Sequence, residues 1–392
     1  MKKVLAVVLA SVMVLSLAAC GAKPAATEEA APAAPAAEEA APAAEEKAEE
    51  AAPAAELKAE APAEGEVVTL KLASHDAAVE GNSYRVRYEK DIQDSAAAAI
   101  DHGFDVQYNS FVSNWDPTVE AQQLQNSINE GYDIILTNPV AATGLDPIIE
   151  KAQDAGIVYI NCDCEYISPD VEILNICTDQ YYLGYTTAKY AGEVLGKGAK
   201  VLVMAAQEGN AADTQRQQGV KDAMEEYGLE QVGYYTNDWD TTVAMQQVTE
   251  FLGTGTEFDG IISSQSAAAC YQAHLNTNTP LPKFIGFEDS GTWMKEMYEL
   301  NKDEVVMHYN VVSNPPGVGG SALNFGLNQI MGKTLKDGVY SNEEYHSIYL
   351  MPRVAYTDQN QEEYKDIIEN TADSDVISYW LTIDEVAEQF FN

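Results

Sequence analysis

The sequence predicts an α/β protein made of two similar lobes that face each other, each built on a parallel sheet. Two observations carry this prediction. From residue 67 onward, short apolar runs alternate with stretches of helical period, the pattern of βαβ units. The pattern then restarts, and one motif returns with it: "NWDPTVEAQQL" at 114–124 and "DWDTTVAMQQV" at 238–248. Aligned on Trp115 and Trp239, six of the first ten positions agree, and these are two of only four tryptophans in 392 residues. Two flanking landmarks keep the same order. Glu80-Gly81-Asn82 corresponds to Glu208-Gly209-Asn210, and "YDIILTN" (132–138) to "FDGIISS" (258–264).

The elements follow in order. "VVTLKLAS" (67–74) is a strand, and a helical pattern covers about 85–102 and closes on Gly103. "FDVQYNSF" (104–111) is a strand. Asp116-Pro117 then opens a helix, because Asp accepts from the free N-terminal amides and Pro suits the first turn. Ala121, Leu124 and Ile128 share one face of that helix. A strand (132–138), a helix (144–156) and a strand (157–163) complete the first copy. The second copy runs as strand (199–207), helix (211 to Gly228), strand (230–237), a helix capped by Asp240, strand (258–265), helix (267–275) and strand (282–289). Spacing is less regular from there to residue 392.

The chain opens differently. Lys2 and Lys3 precede an apolar run that ends Leu17-Ala18-Ala19-Cys20-Gly21, the plan of a signal peptide over 1–20. That ending resembles the lipobox of bacterial lipoproteins, which implies lipid attachment at Cys20; the alternative is an ordinary secretory signal with a chance cysteine. Residues 21–66 are almost all Ala, Glu and Pro, too poor in bulky apolar groups to offset ordering entropy, and read as a disordered spacer. The formal charge of −40 repels phosphates, so nucleic acid is excluded as a partner. Cys162, Cys164, Cys177 and Cys270 lack zinc-site spacing, as do the five scattered histidines, so no metal is expected. The cysteines read either as buried thiols or as a bridge from the Cys162/Cys164 pair to Cys177. "GVGGSA" (317–322) follows Pro-Pro late in the chain, which argues against a dinucleotide site, and no cofactor is expected.

Ligands of open α/β sheets bind outside the carboxyl ends of the strands. Here those ends read "SNWD", "TNP", "NCD", "AAQEGN", "TNDWD", "SSQS", "GFED" and "VVSNPP". Carboxylates and amides of this kind match sugar hydroxyls, which both donate and accept, and an indole suits the apolar C–H face of a sugar ring. Neither tryptophan has a partner for a hydrophobic staple, since the fourth helical positions are Glu120 and Ala244. That points both indoles at the crevice, with loop packing as the alternative.

"GNSYR", "TNPVAATGLDPIIEKAQDAGI", "INCD", "TDQYYLG", "GFED" and "NPPGVGG" together resemble the type I periplasmic sugar-binding proteins of ABC transporters, the group of the ribose- and galactose-binding proteins, over most of 67–355. The resemblance implies two Rossmann-like lobes joined by three hinge crossings. The first lobe would comprise 67–178 plus 314–349, and the second 179–313 plus 350–392. It implies ligand contacts from Asn82, Tyr84, Arg85, Asn138 and Asp163, and from Trp239, Gln265, Glu288 and Ser313 or Asn314. Trp115 joins them by the internal repeat. Three departures argue against ribose itself. Cys164 stands where ribose binders carry an arginine. Thr214 stands near the place of a second one, with Arg216 close by. Glu288 is one methylene longer than the family's aspartate. Each residue also has a plain structural alternative: Asp163 as a turn residue, Asn138 and Gln265 as backbone partners, Arg85 as a solvated charge.

The expected function is a lipid-anchored, monomeric solute-binding protein on the outer face of the cytoplasmic membrane, passing a monosaccharide or sugar alcohol to an ABC permease. It is not expected to be an enzyme. Two alternatives stay open at this stage: a surface glycosidase using a carboxylate pair such as Asp116 and Asp163, and a receptor module sensing a nucleoside or signalling furanose.

Overall fold

The computed structural model of the chain describes residues 56–79 and 82–392. The signal segment, Cys20 and most of the spacer lie outside the described residues. The first copy supplies β1 (Val68–Asp76), α1 (Ser83–Ala98), β2 (Phe104–Val112), α2 (Pro117–Asn129), β3 (Ile134–Asn138), α3 (Asp146–Asp154), β4 (Val158–Cys162) and β5 (Leu174–Thr178). The second supplies α4 (Gln180–Leu195), β6 (Lys200–Ala205), α5 (Ala211–Tyr227), β7 (Glu230–Thr236), α6 (Thr241–Gly253), β8 (Gly260–Ser263), α7 (Ala267–Thr277), β9 (Phe284–Gly286), α8 (Gly291–Asn301) and β10 (His308–Val312). Then come α9 (Val318–Ile330), β11 (Ser347–Leu350), β12 (Ala355–Thr357), α10 (Lys365–Asn370) and α11 (Ile383–Phe390).

Two six-stranded sheets result, in the orders β11-β5-β4-β3-β1-β2 and β12-β10-β9-β8-β6-β7. All pairings are parallel except β10 with β12. The central strands β3, β4 and β8 are buried along their whole length, which is why their sequences are unbroken apolar runs with polar residues only at the ends. Leu70, Ile92, Leu136, Ile160 and Phe325 anchor the first core; Leu202, Phe251, Ile261, Trp293 and Tyr309 anchor the second. Helix α1 starts two residues earlier than its apolar pattern suggests, because the Asn82 side chain accepts from the Arg85 amide and caps it there.

Two boundaries differ from expectation. The spacer does not extend to residue 66 as a free coil. Leu57, its one bulky apolar residue, packs against the first core with Ala59, the Lys58 amide donates to the Gly156 carbonyl at 2.9 Å, and Lys58 Nζ pairs with Asp133 at 2.9 Å. The tail does not stay in the second lobe either. Helix α10 packs there, but Leu381, Ile383, Val386 and Phe391 enter the first core against α9. The three expected crossings, at β5–α4, β10–α9 and β11–β12, are therefore joined by a fourth between α10 and α11. The four described cysteines are free thiols, and Cys162, Cys177 and Cys270 are buried.

Candidate functional site

The duplicated motif builds the same device twice. Asn114 and Trp115 have φ of 53° and 62°, and Asp238 and Trp239 have φ of 51° and 62°, so each copy makes two consecutive left-handed residues. Non-glycine residues hold that conformation only where surrounding bonds enforce it. Most of the bonds correspond, with one difference at the indoles. The Trp115 amide donates to the Ala77 carbonyl at 2.9 Å, whereas the Trp239 amide donates to Asn237 Oδ1 at 2.9 Å and the Asp238 amide reaches the Ala206 carbonyl at 2.7 Å. Asp116 accepts from Thr118 and Val119, and Asp240 from Thr242 and Val243. Gln123 donates to the Val112 carbonyl and Gln247 to Thr236, tying each helix to the end of its neighbouring strand. The conserved Asp, Thr, Val and Gln thus shape a turn that raises an indole at the head of a helix. Both indoles line one cleft of about 1170 Å³ between the lobes.

Arg85 is the centre of the first wall. Its Nη2 pairs with Asp163 Oδ2 at 2.8 Å, its Nε lies 3.8 Å from the fully buried Asp76 carboxylate, and with the amide of Asn138 oriented for bonding, the Asn138 oxygen accepts from Nη1 and, at 2.6 Å, from Nη2. Tyr84 Oη donates to Asp163 Oδ1 at 2.6 Å. Burial works against the charge on Arg85, but Asp76 and Asp163 outweigh it and hold the guanidinium well above its ordinary pKa. Burial, then Asp163, raises the Tyr84 phenol, so it stays a donor. Asp163 itself has φ of 72°, a left-handed turn at the end of β4 that aims its carboxylate back across α1.

Arg216 dominates the second wall. It is buried, and among the described residues no carboxylate lies within ion-pair distance of it; its Nε donates to Gln180 Oε1 at 2.6 Å and its Nη1 reaches Gln265 Oε1 at 3.5 Å. Its guanidinium lies over the Trp239 ring (5.2 Å to centroid) and the Phe287 ring (5.6 Å), a setting in which aromatic faces compensate part of the lost hydration. Desolvation lowers its pKa, partly countered by Asp213. Glu288 lines the cleft, yet both its oxygens are engaged, by the Ala268 amide at 2.8 Å and the Ser290 hydroxyl at 2.5 Å. Asn314 lines the cleft and accepts from Gln180 Nε2 at 3.1 Å.

Of the twelve residues singled out by sequence, eleven line this cleft. Ser313 does not: its hydroxyl bonds Tyr379 Oη at 3.0 Å inside the second crossing, because β10 ends one residue earlier and turns the side chain away. Sequence reasoning passed over Asp76, Gln180, Asn210, Glu165 and Val376. Gln180 stands in the quoted "TDQYYLG" and Asp76 is the polar residue that closes β1, so both carried a signal; Val376, from the tail, carried none. Across the cleft mouth, Gln215 Nε2 reaches Glu165 Oε2 at 3.3 Å and Tyr349 Oη at 3.2 Å, so the lobes already touch.

Two linked α/β lobes with a polar, indole-flanked cleft at their strand ends define a two-lobed ligand-binding protein. The chain belongs to the periplasmic binding protein domain family, whose pattern matches residues 77–334. A xylitol-binding protein of Mycolicibacterium smegmatis is 21% identical over 62% of this chain and 66% of its own length, so the chain spans just under two thirds of that relative. The fold is that of an ABC transporter solute binding protein from Thermobispora bispora (TM-score 0.65, 19% identity, 82% of this chain and 94% of that one). It is also that of a periplasmic solute binding protein from Actinobacillus succinogenes solved with bound D-allose (TM-score 0.63, 19% identity, 75% and 100%).

Proposed function

We propose that the protein captures a monosaccharide or sugar alcohol between its lobes and hands it to an ABC permease. In this reading it works as a monomer on the outer face of the cytoplasmic membrane, held by lipid on Cys20. The observation that carries the reading is the pair of indoles, raised by identical turns from opposite lobes over one cleft whose walls carry Arg85–Asp163 and Arg216–Gln265. An indole covers the apolar face of a ring while the guanidinium and amide groups take its hydroxyls. The xylitol- and allose-binding relatives support a polyhydroxyl ligand. Contacts from both walls make the closed arrangement the one that the ligand favours, and no bond need change.

The glycosidase alternative loses ground on its proposed pair. Asp116 spends its carboxylate on capping α2, and Asp163 is held by Arg85 and Tyr84, so neither is placed as a free acid. The test is a thermal-shift screen against pentoses, hexoses, polyols and nucleosides, followed by calorimetry of whatever raises the melting temperature. Binding of a sugar or polyol without turnover is expected; a screen in which only non-carbohydrates bind overturns the reading. Metabolic labelling with palmitate, lost in Cys20→Ser, checks the anchor.

A further inference from the structure

We propose that residues 371–382 are a hinge strap that sets the spacing of the two cleft walls, with Asp375 and Ser378 acting as positioning residues for the helix that carries Tyr84 and Arg85. The proposal rests on the reading that the lobes close on a ligand.

One edge of the strap belongs to the second lobe. The Gly291 amide donates to the Asp375 carbonyl at 2.9 Å, the Ile377 amide to Asp289 at 3.2 Å, and the Thr292 amide to Asp373 at 3.2 Å; Val376 forms an antiparallel bridge with Ser290. The other edge grips the first lobe. Arg87, two residues after Arg85 on α1, donates from Nη1 to Asp375 Oδ2 at 2.8 Å and from Nε to the buried Asp91 at 2.7 Å. The Ser378 hydroxyl donates to the other Asp91 oxygen. Further on, Tyr379 Oη accepts from the Arg353 amide in the third crossing at 2.5 Å and bonds Ser313 in the second, and the Leu381 amide donates to Ser321 of α9 at 2.9 Å. Gly291 and Gly317 have no room for a Cβ, because the Ala372 and Tyr379 carbonyl oxygens press on them. The strap is thus fitted along its length.

Four consecutive residues, 375–378, hold both lobes at once, and Val376 between the grips is a buried part of the cleft wall. A rotation that opens the cleft must break either the backbone pairing with 289–291 or the side-chain grip on α1. The Arg87–Asp375 pair is the weaker link, since both partners are about a quarter exposed. The grip therefore biases the ligand-free protein toward the arrangement in which Arg85 and Arg216 line one cleft.

The test uses the full chain carrying Asp375→Asn with Ser378→Ala. Small-angle scattering without ligand is expected to show a larger radius of gyration than the unaltered protein. Hydrogen exchange is expected to leave the Gly291 and Ile377 amides protected while α1 loosens. Affinity for xylitol or D-allose, where either binds, falls about two- to fivefold, the scale of one partly exposed ion pair. Should that variant misfold, Arg87→Gln breaks the same grip from α1 and leaves the tail intact, and Arg87→Lys, which keeps the charge, restores part of the effect. Unchanged scattering in the folded variants overturns the strap, even if sugars bind. A larger radius with no sugar bound upholds the strap and counts against the proposed ligand instead.

Discussion

Trp115→Gly separates binding from folding at this site. Trp115 is 56% exposed, so on the order of 250 Å² of tryptophan surface leaves ~140 Å² in water. A sugar face that covers half of it removes ~70 Å², worth ~1.8 kcal/mol at ~25 cal/mol per Å². The expected loss of affinity is therefore about 20-fold, since each ~1.4 kcal/mol is tenfold. Stability should move the other way or not at all. The residue sits at φ 62°, which glycine adopts without the steric cost an indole-bearing residue carries. Its amide bond to Ala77 is retained, and no core contact is lost. The measurement is isothermal calorimetry with the best ligand of the thermal-shift screen, beside differential scanning calorimetry of the ligand-free protein. Affinity within twofold of the parent would show that the first indole does not cover the ligand. A melting temperature lowered by more than about 2 °C, which corresponds to ~1 kcal/mol or more in a protein of this size, would show that Trp115 packs its loop instead.

Two further outcomes follow from the packing. Gly184 of α4 lies against the backbone of α5, where a Cβ would run into the Arg216 carbonyl oxygen; Gly184→Ala should destabilise the second lobe by about 2–4 kcal/mol and displace Arg216 from the cleft, and an unchanged urea midpoint refutes the close approach. Burial pushes Glu89, Glu120 and Asp289 up to about 7 from ordinary values of 4.5, 4.5 and 3.8. These groups keep protons in the fold that the unfolded chain releases, so their contribution is fully present below pH 3.8, and it is lost as pH rises through about 7. The melting temperature should fall from pH 5 to pH 8, and Glu120→Gln should flatten part of that slope, which separates this site from the general repulsion of a chain at −40; a slope identical to the parent's refutes the Glu120 assignment.

How much of this was legible depends on what repeats. The sheets could be read because strand and helix alternate at fixed periods, and the cleft because strand ends in such sheets converge. The duplicated motif sharpened that reading, since two identical turns on two copies of one lobe must lie on corresponding faces. It did not reveal why Gln123 and Gln247 match: they bond strand carbonyls, not ligand, so identity between the copies marks turn geometry as well as binding. Residues chosen by motif fell in the cleft with one exception, Ser313, where a single position of β10 decides which way a side chain turns.

The tail was illegible for the opposite reason. Residues 371–382 have no helical or strand period, because each position answers to a different neighbour: Asp373 to α8, Asp375 to α1 and to the Gly291 amide, Tyr379 to two crossings, Leu381 to α9. Periodicity arises when one face meets one partner over several turns. A segment that visits two lobes and two crossings within twelve residues leaves no such trace, and its sequence looks like loop. The clues it does leave are in its partners. Gly291 and Gly317 are small because the strap lies on them, and Arg87 pairs with Asp375, 288 positions along the chain. The sites that shape the cleft are thus of two kinds. The walls come from the repeated unit and can be read from pattern, while the element that spaces the walls belongs to neither copy and is defined only once both are in place.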